Sequence, residues 1–313
     1  MKKRILSCLM ALALCLTLLP ATVLAAEGEG STQPHTHFLC SGSDSCTCPE
    51  GHKEATGMVE FTAWASTDSL PDAAGNYYLT KDVTLDGSSY IPWMPKPDTV
   101  LCLNGYKITM NGNCDVISVL SGVTFTLCDC KGVNSEYGQI THTTDTTGGG
   151  VLVKGGTFKM YGGSITKNKT SSGKCGGGVY MDGGTFYLYG GEITNNEAAM
   201  GGGVYASGTF EMTGGSITKN KISDGCGGGV FALGTFTMNG GEISGNTVKA
   251  TSGRASADGG GVYVVTSGTF TMTGGAKIAN NTVDHNGGGV YVYGQGSFNR
   301  TGGTIGGTKS GEA

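Results

Sequence analysis

The chain has little proline, little charge and almost no tryptophan: 7 prolines, 2 tryptophans and 14% charged residues in 313. Scarce proline excludes collagen and extended proline-rich linkers. Low charge excludes a chain kept disordered by self-repulsion. Basic residues are outnumbered, 20 against 24 acidic, so the electrostatic footprint of a nucleic-acid binder is missing. No stretch shows a 3.6-residue apolar period, which argues against helices. After Leu19 no apolar run is long enough to cross a bilayer as a helix.

Glycine is what the sequence has in excess, 58 of 313 residues against an average near 7%. Its placement is periodic. A triple glycine begins at positions 148, 176, 201, 227, 259 and 287, and 45 of the glycines lie between Gly148 and Gly307. Each unit reads approximately GGGVYxxxGTFxMxGGxIxxN. Three short β-branched or aromatic pieces recur in it: Val204-Tyr205, Thr209-Phe210-Glu211-Met212 and Ser216-Ile217-Thr218 are one set. Such residues favour strands, and glycine turns the corners between them.

Three strands per unit of roughly 26 residues, with no helix, predict an all-β fold, a right-handed parallel β-helix in which each unit is one rung. Equivalent strands then stack ~4.8 Å apart with side chains alternating in and out. Val179, Phe186, Leu188 and Ile193 point inward in one rung, and Val204, Phe210, Met212 and Ile217 in the next. A phenylalanine ladder runs through 158, 186, 210, 236, 270 and 298, and an isoleucine ladder through 165, 193, 217, 243, 278 and 305. Asn168, Asn196, Asn220, Asn246 and Asn281 each follow a ladder isoleucine by three positions. Stacked amides at a corner hydrogen-bond along the axis, so this row reads as structural. Two insertions, Thr170 to Lys174 and Lys249 to Asp258, break the period as polar loops.

The segments before the repeats divide into three. Residues 1–26 read as a secretory signal peptide, with Lys2-Lys3-Arg4, an apolar run from Ile5 to Leu19, and small residues for cleavage at Val23-Leu24-Ala25-Ala26. The product is therefore expected outside the cell, secreted or at its surface, with no membrane insertion once the leader is gone. Without the three leader cations the chain carries 17 basic and 24 acidic residues, a net charge of −7. Residues 27–57 are polar, rich in cysteine and histidine, and show no strand pattern. Residues 58–147 hold strand-length apolar pieces and read as irregular early rungs that cap the first open edge. Regular repeats occupy 148–307, and 308–313 form a short tail. A second open edge at the last rung suggests self-association.

Nine cysteines follow the leader, an odd number. An exported chain favours disulfides. His35, His37, Cys40, Cys46, Cys48 and His52 crowd into 18 residues, which suits disulfides first and a metal second. Cys102 and Cys128 are one rung apart and suit a staple. Cys175 and Cys226 occupy one rung position two rungs apart, ~9.6 Å by strand spacing, too far to pair.

Alternation turns Tyr180, Tyr205, Phe231, Tyr263 and Tyr291 outward on one face. Such a row suits mutual stacking, and also a platform for sugars, whose CH faces and hydroxyls match amphipathic rings. These five are the candidate binding residues. Catalytic chemistry is sparse. Glu192 and Glu242 share an outward position two rungs apart, near the carboxyl spacing of inverting glycosidases. No Asp, His or Arg joins them, so no catalytic, cofactor or metal residue is assigned. A threonine row for binding ice fails, since Thr166, Thr194 and Thr218 give way to Ser244 and Ala279.

The units GGGVY, GTFTM, GGEI and IxxN resemble the glycine-rich right-handed β-helix repeats of exported proteins from Gram-positive anaerobes. Phe61-Thr62-Ala63-Trp64, Ser69-Leu70-Pro71, Ala74-Gly75-Asn76-Tyr77-Tyr78-Leu79 and Leu101-Cys102-Leu103-Asn104-Gly105 resemble the segment that precedes such repeats. GG-x-I-x-x-N followed by GGGVY is similar to repeats of the polymorphic outer-membrane adhesins, with isoleucine replacing the phenylalanine of FxxN. The resemblance spans residues 58–307. It implies a pectin-lyase-like fold and an adhesive surface role, with extracellular glycans or host and matrix proteins as partners. A polysaccharide-active enzyme or its degenerate relative is the alternative, and a structural surface-layer component the third reading.

Overall fold

Short apolar pieces between glycine corners cannot bury their faces alone, so they stack. The computed structural model describes residues 36–40, 55–130, 136–251 and 257–309. These residues are all-β; apart from one antiparallel pair near the start, their strands run parallel in three sheets of seven, ten and twelve members. The molecule is a parallel β-helix. The leader, most of the Cys/His-rich segment and the tip of the loop after Lys249 lie outside the described residues.

Each repeated piece builds one sheet. Val151, Val179, Val204, Val230, Val262 and Val290 align in register in the first. Phe125, Phe158, Phe186, Phe210, Phe236, Phe270 and Phe298 align in the second. Ile108, Ile140, Ile165, Ile193, Ile217, Ile243, Ile278 and Ile305 align in the third. These columns meet in one continuous core. Phenylalanine rings stack at centroid separations of 4.6 to 5.7 Å, and Trp93 closes the column edge-on at 5.4 Å from Phe125. Burial of each ring is worth roughly 1.5–3 kcal/mol. At the last rung Val290, Phe298 and Ile305 are only partly buried.

The asparagine row is a buried hydrogen-bond ladder. Asn220 Nδ2 donates to Asn246 Oδ1 at 2.9 Å and to the Ile193 carbonyl at 3.0 Å. Its own Oδ1 accepts from the backbone N–H and Nδ2 of Asn196, both at 3.0 Å. The pattern repeats along the row, and all five asparagines are inaccessible to solvent. His142 caps it, its Nδ1 at 2.8 Å from Asn168 Oδ1 and its Nε2 at 2.8 Å from the Cys114 carbonyl oxygen.

The triple glycine serves this ladder. Gly227 has φ +74°, a backbone that side chains rarely adopt. At Gly229 a Cβ would stand 2.6 Å from the Gly261 oxygen, 2.7 Å from Ile243 Cγ2 and 3.0 Å from Asn246 Nδ2. Only glycine lets the corner close onto the isoleucine and asparagine columns.

Two features differ from expectation. Residues 27–57 show no strand pattern in sequence, yet Thr36–Cys40 pairs antiparallel with Ala55–Glu60. Pairing with Ala55–Glu60, rather than local periodicity, makes that strand. A fourth short strand also follows several asparagines: Glu197–Met200, Lys221–Cys226 and Thr247–Lys249 stack as an arm of the twelve-stranded sheet, joined to it through Lys277–Val283. Ile222, Val248 and Val283 form a small second core under this strip with Ala257. Before the regular repeats, Thr62–Trp64, Asn76–Leu79, Thr99–Cys102 and Thr124–Cys128 belong to the ten-stranded phenylalanine sheet.

Asn220→Ala should lower stability by at least ~3 kcal/mol, because it strands several buried donors and acceptors at once. Lys221→Ala, on the exposed lateral strip, should stay within about 0.5 kcal/mol of the parent. Urea midpoints of both variants test this. Equal midpoints would mean that the ladder contributes nothing.

Candidate functional site

The outward aromatic row begins with strand alternation. Val179 enters the core, so Tyr180 faces away, and parallel register repeats the pattern in Tyr205, Phe231, Tyr263 and Tyr291. Neighbouring ring centroids lie 5.2, 5.0, 5.2 and 5.5 Å apart. Tyr293 adds a sixth ring, 6.3 Å from Tyr263 and itself 53% exposed. The structure thus brings all five sequence-predicted residues into one column.

Exposure of that column differs from the expectation of an open platform. Phe231 and Tyr263 are each only 7% exposed. Tyr180, Tyr205 and Tyr291 are half-buried. The cause is a group of apolar side chains around the row: Met200, Cys226, Leu233 and Val265 pack with Phe231 and Tyr263 in a satellite core. The rings also cover one another's faces. What remains for a partner is the partly exposed surface of Tyr180, Tyr205 and Tyr291, with Tyr293 more open beside them.

Electrostatics keep the row neutral. Burial pushes the Tyr180, Tyr205 and Tyr263 phenols above their ordinary range, and nearby Cys175, Cys226 and acidic side chains reinforce it. The rings themselves carry no charge, with acidic side chains nearby, which suits binding rather than proton transfer.

Two further register columns lie beside it. The residues just before successive triple glycines form one: Cys175 bridges to Met200, Met200 pairs with Cys226, and Cys226 bridges to Asp258. Met200 separates the two cysteines, whose thiols are free, as their two-rung separation implied. The other, without an expectation from sequence, is Thr124, Thr157, Thr185, Thr209, Thr235 and Thr269, on the strands of the phenylalanine ladder. Stacked β-branched residues stabilise such a sheet face through cross-strand contact.

The acidic pair is arranged for structure. Glu192, Ser216, Glu242 and Lys277 share one register column. Lys277 Nζ stands 3.2 Å from Glu242 Oε1. A hydrogen bond from Ser244 holds the Glu242 carboxyl below its ordinary range, and Lys277 adds to this. A carboxylate held ionised is a poor general acid. Of the Cys/His-rich group, the backbone of His37 and Cys40 lies in the first strand. His35, Cys46, Cys48 and His52 lie outside the described residues.

No protein-family model, curated protein or solved structure matches this chain.

The raised phenol of Tyr263 has a definite sign in stability. Its contribution is fully present below the unfolded tyrosine value near 10. It is lost as pH rises from there toward the folded value, because the unfolded chain releases the proton first. Urea midpoints should therefore fall above about pH 10, and Tyr263→Phe should fall less steeply than the parent. Parallel curves would show that this phenol is not protected by the fold.

Proposed function

We propose that this protein is an exported, non-enzymatic β-helix that adheres to extracellular glycans or to host or matrix proteins through its lateral aromatic face. The observation that carries the reading is the aromatic column, repeating every 5.0 to 5.5 Å, in which Tyr180, Tyr205 and Tyr291 stay partly exposed. Tyrosines offer apolar contact and a polar tip with few rotatable bonds, so little entropy is lost on binding. A stacked scaffold holds them at a fixed spacing, which lowers the cost of ordering further. Phe231 and Tyr263 serve as the packed backing of the face. The engaged Glu242 weighs against a polysaccharide-cleaving role. The leader-like first 26 residues and the resemblance of residues 58–307 to surface repeats support export.

The test must keep the stack while removing the tips. A Tyr180→Phe, Tyr205→Phe, Tyr291→Phe triple variant does this, whereas alanine at Phe231 or Tyr263 would open the satellite core. Binding to immobilised glycans and matrix proteins should be saturable for the parent. The triple variant should bind at least about tenfold more weakly, the loss expected for several hydrogen bonds of ~1 kcal/mol each. Its thermal midpoint should stay unchanged. Undiminished binding by the variant would remove the row from the site, and release of reducing ends from any polysaccharide would replace adhesion with catalysis.

A further inference from the structure

A second cluster stands on the outer side of the phenylalanine sheet, among the early rungs. Cys102 ends one strand and pairs in register with Cys128, which ends the strand above it. The chain turns immediately after Cys128 and carries Asp129 and Cys130 back over Cys102. One carboxylate oxygen of Asp129 and the Sγ atoms of Cys102 and Cys130 all lie within 4.8 Å of one another. The staple expected between Cys102 and Cys128 therefore has a competitor, since Cys102 Sγ stands 3.8 Å from Cys130 Sγ.

We propose that Cys102, Asp129 and Cys130 form a binding site for a thiophilic divalent cation of the zinc class. The sulfur separation is the first argument. Two thiolates bound to zinc at ~2.3 Å and at a tetrahedral angle stand about 3.8 Å apart. The second is the anchoring of the carboxylate. Asp129 Oδ1 accepts from the Gly105 N–H at 2.8 Å and Oδ2 from the Gly138 N–H at 2.7 Å. Those donors fix the carboxyl group beside the sulfurs, in the way that outer contacts orient metal ligands. The third is a graded burial. Cys102 is inaccessible, Asp129 half-buried and Cys130 exposed, so a cation enters from the Cys130 side and keeps a fourth position for solvent. Asn104 Oδ1, 3.1 Å from Cys130 Sγ, orients that thiol.

Both thiols must lose their protons to ligate the cation, so uptake should strengthen as pH rises. A two-sulfur, one-carboxylate set selects zinc, cadmium or cobalt over magnesium and calcium, which prefer oxygen alone.

Cobalt(II) is the probe, because thiolate ligation gives it charge-transfer absorption and a tetrahedral ligand field its own visible bands. The full chain is reduced, freed of reductant and titrated, both as the parent and in a Cys40→Ser, Cys46→Ser, Cys48→Ser background that removes the other thiol cluster. The expected result is one cobalt per chain in that background, with thiolate bands. Cys130→Ser should weaken uptake at least about tenfold, and Cys175→Ser should leave it unchanged. Cys130 is exposed, so its variant should fold, and circular dichroism verifies this. Absence of thiolate bands from the reduced background chain overturns the proposal, as does full uptake by Cys130→Ser. A chain isolated without reductant that carries a Cys102–Cys130 disulfide, and takes up no cobalt once reduced, overturns it in favour of a covalent staple.

Discussion

Register is the constraint on which the rest of this structure depends. A parallel β-helix stacks like residue on like residue, and a slip of one position would turn every core side chain to solvent. Here the buried asparagine ladder fixes that register. Each amide in the middle of the row satisfies its neighbours above and below, and the carbonyls of Ile140, Ile165, Ile193, Ile217 and Ile243 each receive a side-chain donor. Apolar columns alone tolerate sliding. A buried amide does not, because a displaced donor or acceptor loses its partner in a place that water cannot reach. Glycine at Gly203, Gly229 and Gly261 follows from the same demand, since any Cβ there meets the isoleucine and asparagine of its own rung.

The candidate binding face is a by-product of this register. Once Val204 and Val230 are held inward, Tyr205 and Phe231 must rise on the opposite side at the repeat of the stack. Their faces then satisfy one another, and the surrounding apolar side chains cover the central pair. The result is less a flat platform than a ribbed wall of stacked rings. In the adhesive role proposed above, such a wall would recognise partners by shape and hydrogen bonding, with little long-range electrostatic steering.

The same geometry separates the acidic column from the sulfur cluster. Glu192 and Glu242 fall two rungs apart on one outward column of a regular sheet, with Ser216 between them, and Lys277 one rung on pairs with the second. Cys102, Asp129 and Cys130 fall at a turn, where the chain doubles back and the rung repeat no longer dictates what meets what. Irregular corners bring unlike residues together, and regular faces bring like residues together.

Fold class, rung length, the three ladders and the asparagine row were legible in the sequence, because each is a periodic pattern with one physical solution: glycine where no Cβ fits, and β-branched or aromatic residues between. The outward direction of the aromatic row was legible for the same reason. Its burial was not, since it depends on Met200, Cys226, Leu233 and Val265, side chains off the aromatic positions of the repeat that only the folded chain gathers. Apolar positions two residues after Asn196, Asn220, Asn246 and Asn281 hinted at the fourth strand, but a hint of one residue per rung does not show pairing. His142 at the head of the ladder and Cys130 beside Cys102 carry no periodic signal at all. Sequence determines what repeats; tertiary structure decides what the non-repeating residues touch, because those contacts are set by where the stack happens to place a turn.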